Sequence, residues 1–129
     1  FDYLYLAENT PTPKLDMNIT HYELGNIEGV PLCFTDATAL ENGDVVFSAA
    51  AENTSDSYLD GTCMGSAIGI ITANGELHKI ELVDQKIKLE GIEAKIIDNQ
   101  IKLLLVTDAD DENIPAQLYS ASIHGYPFI

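Results

Sequence analysis

The sequence predicts an all-β fold made of four-stranded antiparallel sheets that recur along the chain as β-propeller blades. Three observations carry that expectation. Short runs rich in Val, Ile, Leu, Tyr and Thr are broken by Asn-Gly, Asp-Asn, Gly and Pro, the pattern of strands joined by tight turns. Helical periodicity is weak throughout. A whole unit also repeats: strand, turn, strand, acidic loop, strand. "AENT" closes the apolar runs "YLYLAENT" and "VVFSAAAENT", and a third run, "IKLLLVTDAD", stops on an acid in the same way. Glu8 and Glu52 stand 44 positions apart, and Glu52 and Asp108 stand 56 apart. A strand-rich unit recurring every ~40–50 residues is the mark of propeller blades. A β-sandwich would repeat strands without repeating units.

The first unit, residues 1–26, begins at its second strand, "YLYL", and continues through "PTPK" into "DMNITHYEL" as its third. The middle unit, residues 27–86, is a complete blade. It holds a strand around "FTDATAL", a turn at Asn42-Gly43, "DVVFSAAAE", the acidic loop "SDSYLDGTCM", "GSAIGIIT", a turn at Asn74-Gly75, and "ELHKIELV". Asn-Gly pairs are strong hairpin turns because both residues tolerate positive φ. The last unit, residues 87–129, holds "GIEAKII", a turn at Asp98-Asn99, "IKLLLVTD", the loop "DDENIP" and "AQLYSASIH". One complete blade between two incomplete ones reads as the C-terminal part of a larger propeller. The remaining blades are expected in the same chain or in another copy, a homo-oligomer included, because open-ended blades leave edges and apolar faces to be covered.

A chain of 129 residues has the size of one domain and can bury a core. Runs such as "LLLV" and "AIGII" are too short to span a membrane. Twenty-one acidic residues against six basic ones give a net charge of -15. That surface repels nucleic acid and anionic lipid, so neither is an expected partner. It attracts hard divalent cations or a basic partner, although solubility alone accounts for the same charge. Cys33 and Cys63 lack metal-ligand spacing, and two buried thiols fit them better than a disulfide. The chain opens at Phe1 without an initiator Met or a signal peptide, which reads as a processed or cut chain and slightly favours the cytoplasm.

In a blade, the loop after the second strand and the start of the first strand lie on one rim. Glu8, Glu52 and Asp108 end second strands, while Asp36 and Glu90 begin first strands, so all five are expected to gather. Asp56, Asp60, Asp110 and Asp111 join them from the acidic loops. Crowded carboxylates must be compensated by protons or cations, and Ca²⁺ or Mg²⁺ suits oxygen ligands. Asp36, Glu52, Glu90 and Asp108 are therefore the candidate metal ligands, with Asp108 also a candidate general base. Strand termination and turn capping call for the same residue types with no ion. "DADDEN" is not an EF-hand, because Asn113 and Tyr119 stand where that loop needs Gly and Glu. Ser48, Ser66 and Ser120 sit in strand-like runs without a nucleophile elbow. His21, His78 and His124 are scattered and read as strand or surface residues. Nothing marks a phosphate-binding glycine loop, and no organic cofactor is expected.

Over roughly residues 27–124, "FTDATAL…DVVFSAAAENT…YLDGTCMGSAIGI" and "LEGIEAKI…LLLVTDADDENIPAQLYSASI" resemble an uncharacterised bacterial family of propeller-like proteins. More distantly, "LEGIE" and "VTDAD" are similar to parts of the six-bladed phytase-like and gluconolactonase-like propellers. That resemblance implies a six-bladed ring and, at Glu90, a metal-binding Glu placed before Gly on a channel-lining strand. Two functions follow as expectations. The first is a binding or scaffold module whose acidic face takes a divalent cation or a basic partner. The alternative is a divalent-metal-dependent hydrolase, lactonase- or phosphoesterase-like, whose channel ion polarises substrate or activates water.

Overall fold

Turns that the sequence marks set the lengths of nearly every strand. A computed structural model describes residues 15–53, 62–83 and 86–126. All regular structure among them is strand: β1 (Asn26–Ile27), β2 (Val30–Ala39), β3 (Val45–Glu52), β4 (Cys63–Ile71), β5 (Leu77–Leu82), β6 (Leu89–Ile97), β7 (Gln100–Thr107) and β8 (Leu118–Ile123). The strands form two antiparallel sheets, one in the order β1-β2-β3-β4-β5 and one in the order β6-β7-β8. The fold is all-β, with an arrangement compatible with propeller-like blades. Residues 1–14, with Glu8, and the loop positions Asp56 and Asp60 lie outside the described residues.

Asp98 and Asn99 both take positive φ, 52° and 60°, as a two-residue hairpin with right-handed strand twist requires. The Asn-Gly turns differ from expectation. Gly43 and Gly75 alone are left-handed, at 91° and 84°, and their N–H groups donate to Leu40 O at 3.0 Å and Thr72 O at 2.8 Å. Each loop is therefore a right-handed turn followed by a glycine bulge. The Asn42 side chain favours that form by accepting the Asp44 N–H at 3.0 Å, a local turn bond typical of Asn.

"DMNITHYEL" does not form the expected strand. Residues 15–25 carry no strand pairing, and only the two-residue β1 pairs with β2. Tyr22 and Leu24 instead turn onto the first sheet, where Leu24 is buried with Leu32, Phe47, Ala49 and Ala67. The Tyr22 hydroxyl donates to Gly75 O at 2.7 Å.

The burial pattern places the layers. β7 alternates, with Ile101, Leu103 and Leu105 buried while Lys102, Leu104 and Val106 are exposed, as expected of a sheet covered on one side. β3 is buried from Val46 to Ala51 because it has a layer on each side. Val46 packs towards the second sheet with Ile70, Ile92 and Ile101, while Phe47, Ala49 and Ala51 face the opposite way. At the 56-residue repeat Phe47 corresponds to Leu103, and Val46 to Lys102. Leu103 faces back onto the first sheet as Phe47 faces back onto the Tyr22–Leu24 layer. The sheets thus stack head to tail.

Several polar ties join the sheets, among them a hydrogen bond from the Thr38 hydroxyl of β2 to Glu93 of β6 at 3.3 Å. β2 is bulged at Thr35, and beyond the bulge Asp36 accepts the Ala37 N–H at 2.9 Å with one oxygen and the Ile92 N–H of β6 at 2.9 Å with the other. Ser66 of β4, fully buried, donates to Ile87 O at 2.6 Å and accepts the Leu89 N–H at 3.0 Å. Paired in this way, a buried hydroxyl carries no desolvation penalty.

A cluster at the opposite end of the strands predicts a pH response. The Tyr126 hydroxyl donates to Asp44 at 2.8 Å, the other Asp44 oxygen accepts the Ala73 N–H at 2.9 Å, and Asn42 bonds the Tyr126 oxygen. The Tyr126 bond, opposed by burial and helped by Ala73, holds the Asp44 carboxyl below its usual 3.8. Burial, helped by Asp44, pushes Tyr126 above its usual 10.0. A depressed carboxyl stabilises above its unfolded pKa, and that stability is lost as pH falls through the folded value. A raised phenol stabilises below pH 10, with loss as pH rises through its folded value. Tyr126→Phe is expected to cost about 1–2 kcal/mol at neutral pH and to move the Asp44 pKa, followed by NMR, up towards 3.8. An unmoved Asp44 would remove this bond from the account.

Candidate functional site

The end of β3, the start of β6 and the loop after β7 converge on one rim, and a lysine stands at their meeting point. Glu52 is the last residue of β3 and pairs with Cys63 past a register shift. Glu90 is the extra residue of a bulge in β6, between Leu89 and Gly91. Asp110 takes a positive φ of 53° in the loop after β7. The Lys88 ammonium lies 3.1 Å from Glu52 Oε1 and 3.1 Å from Glu90 Oε1, and it is ion-paired with Asp110. Its side chain is only 12% exposed.

Burial favours the neutral amine, but the carboxylates of Asp110, Glu90 and Glu52 outweigh that effect and hold Lys88 above the usual lysine range. Lys88 is therefore a fixed positive charge at neutral pH. The cation that crowded carboxylates require is supplied by the chain itself. Its charge opposes a second cation on the same oxygens. Among the described residues no three His, Cys, Asp or Glu side chains are grouped to hold a metal ion.

The structure brings Glu52, Glu90 and Asp110 together. Asp108 stands beside them as a loop-former: its carboxylate accepts the Asp110 N–H at 2.9 Å, and its own N–H donates to Lys88 O at 3.2 Å. Asp111 does the same for Asn113 at 2.8 Å. Both are Asx-type turns, and both residues remain exposed. Asp36 takes no part in the Lys88 group, because its two oxygens are used on the backbone of β2 and β6. A cavity of about 360 Å³ opens beside the group, lined by Glu52, Cys63, Lys86, Lys88, Asp110 and Gln117 among others.

Cys33 and Cys63 are both free thiols, but neither is fully buried. Cys33 is exposed because it alternates with the inward Leu32 along β2. Ser48 is buried and bonded to Thr35 at 2.8 Å, and His21, His78 and His124 are exposed. Sequence reasoning missed Lys88. The available signal was its position two residues before Glu90, a spacing that places both side chains on one side at a strand start.

Residues 2–123 match the model of DUF6929, a family of unknown function. No curated protein and no solved structure matches the chain.

Proposed function

We propose that the chain, which by this match belongs to the family of unknown function DUF6929, is a non-catalytic binding module whose acidic rim takes a basic partner. We read its two sheets as consecutive blades of a propeller, and their head-to-tail stacking supports that reading. The observation that carries the functional proposal is the Lys88 ammonium among three carboxylates. One positive charge leaves the group net negative. The exposed side chains of Asp108, Asp111 and Glu112 add to the surplus in the neighbouring loop. The cavity itself is lined by both signs, Glu52 and Asp110 with Lys86 and Lys88. The negative surplus therefore lies on the loop side, where it draws in ligands of the opposite sign. A lysine- or arginine-rich segment can add its cations to the outer oxygens while Lys88 stays in place. A divalent ion needs the oxygens that Lys88 already uses.

The test is binding of an oligolysine peptide to the intact chain across a salt series. Affinity is expected to fall steeply with salt, because exposed charges are screened within about 8 Å at physiological ionic strength. Glu90→Gln with Asp110→Asn is expected to weaken binding about tenfold, equal to about 1.4 kcal/mol. Neutralising Glu76 and Glu81, away from the rim, should change it less than about twofold. Equal losses from both pairs would show that net charge alone draws the peptide and would end the site reading.

A further inference from the structure

We propose that the outer face of the second sheet is a docking surface for another copy of this chain, giving head-to-tail self-association. The inference draws on the stacking of the sheets and is independent of the acidic rim.

The face that points away from the first sheet carries Lys95, Lys102, Leu104, Val106 and Leu118, with Glu93 on the edge strand β6, and Leu104 and Leu118 are 51% and 69% exposed. A hollow of about 480 Å³ runs across it. The chain contains its own precedent for covering such a face. At the 56-residue repeat Leu104 corresponds to Ser48 and Val106 to Ala50, and Ser48 and Ala50 are buried on the first sheet. Their cross-strand partners extend the match. Asp36 pairs with Ser48 and Glu93 pairs with Leu104, so Glu93 occupies on the second sheet the place of Asp36 on the first. Asp36 bonds the next N–H on its own strand and, with its other oxygen, a backbone N–H of the following sheet. Glu93 likewise accepts the next N–H on its own strand, from Ala94 at 3.1 Å. The same oxygen also accepts the Thr38 hydroxyl of β2 at 3.3 Å, a bond back to the first sheet. The outer face thus carries large, exposed apolar side chains, Leu104 and Val106, at the positions where the first sheet carries the covered Ser48 and Ala50.

Charge and apolar surface point to a second copy as the occupant. Lys95 and Lys102 are paired directly across β6 and β7, and like charges placed so are destabilising until an opposite charge meets them. In a chain with 21 acids and six bases, another copy readily offers that charge. At the opposite end of the stack, behind the first sheet, the segment leading into Tyr22 exposes Leu15, Met17 and Ile19 at 69%, 67% and 73%, with Asp16 among them. Phe34, edge-on to Tyr22 and Phe47, is 46% exposed on the same side. Apolar residues with an acid on one end of the stack therefore match apolar residues with two lysines on the other. Such a contact joins different surfaces of the two copies and is heterologous.

The experiment is sedimentation velocity on the intact chain across a concentration series. Wild type is expected to grow in mass with concentration. Leu104→Glu and Ile19→Glu should each remain monomeric alone, and an equimolar mixture of the two should form dimers, because one intact junction survives between them. Both positions are exposed, so circular dichroism and the unfolding midpoint should match wild type. A wild type that stays monomeric up to its solubility limit overturns the proposal. So does self-association that survives Ile19→Glu, which would mean a face-to-face contact. A monomeric mixture also rejects the head-to-tail geometry.

Discussion

Lys88→Met is expected to destabilise the fold by about 2 kcal/mol at neutral pH. Removing one partner of a buried ion pair costs ~3–5 kcal/mol, because the remaining charge is left uncompensated. The carboxylates here are 28–36% exposed, so solvent screening lowers the figure. The loss should shrink at the alkaline end. A lysine whose folded pKa lies above its usual 10.5 contributes fully below that value and less as pH rises through the folded one. Urea unfolding of wild type and Lys88→Met at neutral and alkaline pH checks this. Equal stability at neutral pH would mean that the ammonium compensates nothing.

The largest structural effect is expected behind the first sheet. Phe47 is fully buried, and its ring covers its cross-strand partner Gly69. Phe47→Ala should cost about 3–5 kcal/mol, the lost transfer energy plus that of the cavity left behind. Gly69→Ala fails for the opposite reason. A Cβ there would stand 2.2 Å from the Phe47 ring and 2.8 Å from Lys79 O, and the ladder holds that oxygen in place. Overpacking of this kind costs about 1–3 kcal/mol. If the pair is one packing unit, Phe47→Leu with Gly69→Ala should be more stable than the sum of the two single losses predicts. Strict additivity in thermal unfolding would contradict that coupling.

Strand positions were legible because they depend on local chemistry. Alternation in "IKLLLV" and the turn residues at Asp98-Asn99 and Asn74-Gly75 fix where a strand runs and stops. "VVFSAAA" carried a further signal: an apolar run without alternation marks a strand covered on both faces, and β3 is such a strand. What was not legible depends on partners distant in sequence. "DMNITHYEL" alternates like a strand, yet pairing requires a neighbour, and here its later residues pack as a cover. Glu52, Glu90 and the loop after β7 were expected on one rim, and the structure gathers them there. Lys88 was missed because its partners Glu52 and Asp110 lie 36 and 22 residues away. Asp36 was expected on the same rim, but the bulge at Thr35 turns it onto the β6 backbone, and a bulge leaves no plain mark in sequence.

The central claim is that the cation within the acidic rim is the chain's own ammonium. The most direct test is thermal unfolding of chelator-stripped wild type and Lys88→Gln, each titrated with Ca²⁺ and Mg²⁺. An ion that binds only the folded chain adds about 2.7 kcal/mol at a hundredfold excess over its dissociation constant. The account predicts no saturable shift in wild type and a saturable one in Lys88→Gln, where the three carboxylates have lost their counter-charge. A saturable shift of equal size in both proteins would contradict it, because the ion would then bind without regard to Lys88.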